Sequence, residues 1–207
     1  MSECLCCYAF EVLNHKLVGE PKISFEKFVL VDDNSDLIPS SAPLFVTWNR
    51  DGNLRGCIGT FQDLPIESGV RRFSITSALE DSRFAPISKH ELPSLLVHVT
   101  LLANFTDIHD SEDWEVGKNG LKVSFDYQGI HYSGTFLPSV AEEEKWDKTS
   151  TLYYLLKKAG LSGVSKQNTN GFYKRGMKEN WLRLTRYDGL KASLDYGDYR
   201  DIRSDLS

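Results

Sequence analysis

Apolar residues recur along this chain with two periods, and the switching between them predicts helices interspersed with strands. Over residues 4–18, Leu5, Tyr8 and Val12 fall on one stripe, with Ala9, Leu13 and Leu17 beside it, which is helical spacing. Residues 19–43 are polar and carry Pro21, Pro39 and Pro43, so they read as a long connection holding a short ordered element between 23 and 31. Residues 44–49 and 54–61 then predict a hairpin, because Asp51-Gly52 suits a tight turn that needs positive φ. With a two-residue turn, or a four-residue loop from Arg50 to Asn53, Cys57 falls opposite Val46 and Arg55 opposite Trp48. Val46, Trp48, Arg55 and Cys57 then share one face, an expectation that an inserted bulge would break.

Further along, residues 66–79 suit a helix with Ile66, Val70, Phe73 and Ser77 on one face. Ser88-x-x-Glu91 has the form of a capping box, and Pro93 limits that helix to about a turn. Residues 95–102 form a strand with Leu95, Val97, Val99 and Leu101 on an apolar face and Leu96, His98, Thr100 and Leu102 on a mixed one. A second hairpin around Gln128-Gly129 places Leu121, Val123, Phe125, Tyr127, Ile130, Tyr132 and Phe136 on its buried face and Asp126 opposite His131. Thr149 or Ser150 caps a helix bearing Leu152, Leu155, Leu156 and Ala159, with Gly160 as its stop signal. Residues 168–180 read as a loop, and 181–187 and 190–194 as two late strands. Gly197 weakens any helix in 195–207, which reads as a mobile C-terminal segment. Irregular alternation with antiparallel hairpins predicts an α+β fold rather than a doubly wound parallel sheet.

Composition narrows the class. The 207 residues suffice for a sizeable core in one domain, 1–207, with two lobes, antiparallel hairpins and packed helices. A net charge of -5 argues against a dominant nucleic-acid footprint. No apolar run approaches the roughly 18–20 residues that span a bilayer. Without a basic region ahead of an apolar segment, no secretory signal is expected, and the four cysteines read as reduced thiols. Cys4, Cys6 and Cys7 crowd one helical turn and read as packing residues; no metal-ligand spacing is found elsewhere.

Candidate chemistry centres on Leu54-Arg55-Gly56-Cys57-Ile58-Gly59. A guanidinium near a thiol favours thiolate, the reactive form. Cys57 is the candidate nucleophile, or else a small buried residue on a core strand. Arg55 binds an anionic substrate or pairs with Glu80 or Asp81. Asp81 is a general base or orients Arg55, or else it caps the preceding helix with Arg83 as its clamp. Among five histidines, His98 alone has a fair chance of approaching Cys57.

These motifs resemble the AMMECR domain family, named for a human chromosomal region linked to Alport syndrome, midface hypoplasia and elliptocytosis. The likeness rests on Leu44-Phe45-Val46-Thr47-Trp48, the cysteine motif through Phe61, and residues 76–84 from Thr76 to Phe84. Glu91-Leu92-Pro93, Asp113-Trp114-Glu115-Val116-Gly117, Leu137-Pro138-Ser139-Val140-Ala141, Trp146-Asp147 and Leu184-Thr185-Arg186-Tyr187 follow in order, so that agreement runs over about 4–200. The resemblance implies a two-lobed α+β domain with a cleft edged by the cysteine motif, in the cytoplasm and nucleus. It implies no settled reaction, and the cofactor, if one is used, is unknown. Relatives found with Memo-type and radical-SAM proteins suggest a modification pathway. Two functions follow: an enzyme or enzyme component with Cys57 and Asp81 catalytic and Arg55, Glu80 and Arg83 binding an unknown small molecule or protein, or a non-catalytic adaptor using the same cleft.

Overall fold

The computed structural model describes residues 2–206. It is an α+β structure in which helices α1 (Cys4–Val18) and α2 (Phe25–Val31) precede strands β1 (Ser41–Arg50) and β2 (Asn53–Pro65) and helix α3 (Ile66–Leu79). Strands β3 (Leu95–Ile108), β4 (Asn119–Tyr127) and β5 (Ile130–Phe136) follow. Helices α4 (Pro138–Glu143), α5 (Lys148–Lys158) and α6 (Thr169–Lys178), strand β6 (Leu182–Asp195) and helix α7 (Tyr196–Asp205) complete the chain. The strand order is β2-β1-β3-β6-β4-β5. The chain divides into two compact units, residues 1–102 with 190–207, and residues 103–189.

In the first unit, α1 is the central helix. Its residues Cys4 to Asn14 are all buried, so the apolar stripe read from spacing is one side of a helix enclosed on every side. The same core takes Leu44, Val46 and Trp48 from β1, Val70 and Phe73 from α3, and Leu95, Val97, Val99 and Leu101 from β3. Helix α7 belongs to this core. Gly197 costs it helix propensity, but Asp195 Oδ1 caps it by accepting from the Asp198 amide at 2.9 Å, and Tyr199 is fully buried. Glu11, itself buried, accepts from Tyr199 Oη (2.7 Å), Arg203 Nε (2.9 Å) and the Ile23 amide (2.8 Å).

In the second unit, the β4–β5 hairpin has the expected register, with Asp126 opposite His131 and Gln128-Gly129 in the turn at positive φ. Its buried face differs at one position: Ile130, beside the turn, is exposed. Residues 168–180, read as a loop, contain α6, whose Thr169 and Tyr173 are buried and whose Tyr173 Oη donates to the Leu152 carbonyl at 3.1 Å. The two late strands are one continuous strand, β6.

The β1–β2 hairpin departs from the expected register. Asp51 and Gly52 make the turn at positive φ, and Arg50 pairs with Asn53 and Asn49 with Leu54. The register then shifts: Trp48 faces Gly56, Thr47 faces Cys57 and Val46 faces Ile58. Arg55 is the extra residue of a β-bulge. Cys57 therefore leaves the face of Val46 and Trp48 and joins Thr47. The cause is close packing of α3. A Cβ at position 56 would overlap the Ser77 carbonyl oxygen, and Trp48 Nε1 donates to the Ser74 carbonyl at 3.1 Å. Only a glycine fits between Trp48 and the α3 backbone, so the bulge brings Gly56, not Arg55, to that place.

Candidate functional site

The bulge sends Arg55 to a carboxylate, Glu91. Its Nε donates to Glu91 Oε1 at 2.9 Å and its Nη2 to Oε2 at 3.3 Å, a fork that also reaches the Ala85 carbonyl (2.6 Å) and the Pro86 carbonyl (3.3 Å). Arg50 donates to the same Glu91 at 3.1 Å. Glu91 completes the capping box by accepting from the Ser88 amide at 2.9 Å. Hydrogen bonds from Arg55, outweighing burial, hold its carboxyl down at about 2. Arg55 thus fastens the segment between α3 and β3 to the hairpin, and its guanidinium is not aimed at the thiol.

Asp81 and Arg83 act on the backbone of Cys57. In this antiparallel pair, Cys57 and Thr47 form a non-hydrogen-bonded position, so the N–H and C=O of Cys57 point off the edge of the sheet. Asp81 Oδ2 accepts the Cys57 amide at 2.9 Å, and Arg83 Nη2 donates to the Cys57 carbonyl at 3.1 Å. Arg83 also binds Asp81 through Nη2 to Oδ2 (2.7 Å) and Nε to Oδ1 (2.9 Å). Arg83 holds the buried Asp81 carboxyl far below the usual range, with the Cys57 amide reinforcing it against burial. So firmly ionised a carboxylate is a clamp rather than a proton acceptor at neutral pH. Its partner is Arg83, not Arg55. Glu80 lies exposed at the C-terminal end of α3.

The thiol projects from the sheet face opposite the helices. Non-hydrogen-bonded pairs bring side chains close, and Thr47 Oγ1 donates to Cys57 Sγ at 3.1 Å. Thr47 in turn pairs with His98 on β3, and His98 Nδ1 lies 2.6 Å from Ser193 Oγ on β6. Cys57, Thr47, His98 and Ser193 therefore form one row across four neighbouring strands. The row puts His98 two strand spacings from Cys57, about 10 Å, with Thr47 between them. Burial, and then the charge of Lys191, bring the His98 imidazole down to about 4, so it is neutral at pH 7. Cys57, Thr47 and His98 are each half-buried, and Ser193 is exposed. Sequence reasoning missed Thr47, Glu91 and Ser193 as members of this neighbourhood; Ser88-x-x-Glu91 was the one signal, read only as a helix start.

The remaining cysteines are unlike Cys57. Burial pushes Cys4 up to about 11 and Cys6 up to about 12, and raises Cys7 further. Among the described residues, no cluster of His, Cys, Asp or Glu fits a metal ion, no disulfide joins the four cysteines, and no helix is long and apolar enough to cross a membrane.

The AMMECR1 family model matches residues 6–187. The chain belongs to the AMMECR1 family. An uncharacterized protein of Schizosaccharomyces pombe is 37% identical over 94% of this chain and 93% of its own length. Another from Saccharomyces cerevisiae is 35% identical over 79% of this chain and 72% of its own, and one from Arabidopsis thaliana is 40% identical over 76% and 72%. The crystal structure of the uncharacterized protein PH0010 from Pyrococcus horikoshii has a TM-score of 0.66 and 24% identity over 93% of this chain and 92% of that one, which shows the fold. The motif of this AMMECR1 protein that first draws the eye, Arg55-Gly56-Cys57, does three separate jobs. Arg55 ties down a loop, Gly56 admits α3, and Cys57 presents a thiol.

Proposed function

We propose that this AMMECR1 protein is an enzyme or enzyme component whose working group is the Cys57 thiol, used in acyl or related group transfer. The observation that carries the reading is the arrangement around one residue. The backbone of Cys57 is fixed by Asp81 and Arg83, while its sulfur accepts a hydrogen bond from Thr47 on a half-exposed face. A thiol so held is oriented before any substrate arrives. In the reaction, Cys57 Sγ attacks a carbonyl carbon, the C–S bond forms, and the leaving group departs with the thiol proton. A second nucleophile then takes the acyl group, the C–S bond breaks, and the thiol is restored. Thr47 stabilises negative charge on sulfur, and Ser193 fixes the neutral His98 ring. Asp81, Arg83 and Arg55 are positioning residues here. An association with Memo-type or radical-SAM proteins in a modification pathway is consistent with this role.

The test is incubation of the protein with a panel of small thioesters, followed by intact-mass and peptide analysis. An acyl adduct on Cys57 that turns over, and is absent from Cys57→Ala and Cys57→Ser, is expected; a chain that stays unacylated while correctly folded overturns the proposal. A recognition role is favoured by a different observation: on edge strand β2, Leu54 and Phe61 are 42% and 40% exposed. In that case Phe61→Ser abolishes partner capture and Cys57→Ala leaves it intact.

A further inference from the structure

The first turn of α1 carries a feature that the Cys57 site does not use. Cys4 and Cys7 stand in a Cys-x-x-Cys spacing at the head of a fifteen-residue helix. Residues three apart lie on one helix face with neighbouring Cβ atoms, and Cα separations at that spacing fall in the range a disulfide bridges. Both cysteines, each 2% exposed, line one pocket of about 400 Å³. Cys6, between them in sequence, is fully buried and does not line that pocket. Among the described residues, the pocket wall holds Glu3, Asp32, Asp33 and Asp205 and no Lys, Arg or His. Lys27 Nζ donates to the carbonyl of Leu206, a residue of the wall, at 3.5 Å. Asp32 accepts from the Cys4 amide at 2.7 Å and from Ser2 Oγ at 2.5 Å, and Ser2 Oγ lies 3.0 Å from Cys4 Sγ.

We propose that Cys4 and Cys7 form a dithiol site that exchanges with small cationic disulfides through this pocket. Cys4 Sγ attacks one sulfur of the disulfide, forming a mixed disulfide and releasing one thiol. Cys7 Sγ then attacks the Cys4 sulfur, closing the Cys4–Cys7 bond and releasing the second thiol. The two protons of the cysteines leave on the two released thiols; the protein pair loses two electrons and the reagent gains them. The acidic wall selects for positive charge on the reagent. Burial raises both thiols, so the exchange should speed up as pH rises toward the thiolate range.

The experiment uses the whole chain with three probes: cystamine, neutral hydroxyethyl disulfide and anionic oxidised glutathione. Acid quenching, alkylation and peptide mapping then report which cysteines are joined. A peptide with Cys4 linked to Cys7 and Cys6 still alkylatable is expected, forming about tenfold faster with cystamine than with oxidised glutathione. Asp33→Asn with Asp205→Asn should narrow that difference. Cys7→Ala should stop at a mixed disulfide on Cys4, and the wild-type mapping decides the matter by itself if that variant does not fold. Full modification of Cys57 with Cys4 and Cys7 still thiols, or a bridge involving Cys6, overturns the site. Equal rates with the three probes overturn its preference for cations.

Discussion

A single inserted residue decides which side chains meet at the thiol. Because Arg55 is bulged, Cys57 faces Thr47 rather than Val46, and the sulfur gains a hydroxyl donor in place of a methyl neighbour. Thr47→Val removes that donor while keeping shape, so the rate at which Cys57 reacts with electrophiles should change measurably with the melting temperature nearly unaltered. Gly56→Ala acts differently. Its Cβ meets the Ser77 carbonyl of α3, so roughly 2–4 kcal/mol of stability should be lost, measured by denaturant unfolding. The alternation of polar and apolar residues could not reveal the bulge, because Arg55 and Leu54 fit either register equally well. The need for a glycine against α3 was invisible until α3 was in place. His98 was legible as a mixed-face residue of β3, but its partner Ser193 lies 95 positions away in sequence.

At the scale of elements, the segment between α3 and β3 is an electrostatic latch on the edge of the hairpin. Arg55 and Arg50 hold Glu91, and Asp81 with Arg83 holds the backbone of Cys57. The folded Glu91 carboxyl is depressed to about 2, below its unfolded value of about 4.3. Its contribution is therefore complete above about pH 4.5 and is lost as pH falls toward 2, amounting to about 3 kcal/mol. Glu91→Gln should flatten the acid limb of the stability curve over that window, and Asp81→Asn should do the same in the same direction. Retention of the full acid limb in Glu91→Gln would show that the latch contributes nothing. The capping box that contains Glu91 was readable from four residues, because capping is local. Helix α6 was not, since Asn168, Asn170 and Gly171 disfavour a helix. It forms because Tyr173 is buried, with its hydroxyl on the Leu152 carbonyl.

Across the molecule, the ends of the sequence close the first unit. Tyr199 and Arg203 of α7 both reach the buried Glu11 of α1, nearly the full chain length apart. Arg203→Met leaves Glu11 with one fewer cationic partner, and about 3–5 kcal/mol should be lost in thermal or denaturant unfolding. Membership of the AMMECR1 family was legible because its motifs run in order along the chain. The role of those motifs was not, since charged residues that suggest catalysis are spent on positioning one backbone. Cys57 is thus the half-exposed cysteine of the proposed transfer site, whereas Cys4, Cys6 and Cys7 are each 2% exposed or less. The most direct measurement is the alkylation rate of each cysteine by iodoacetamide at pH 7.5, in the folded protein and in urea. The expectation is that Cys57 reacts in the folded protein at least as fast as in the unfolded chain, and faster than Cys4 and Cys7, with Cys6 protected. A Cys57 that reacts only after unfolding would contradict it.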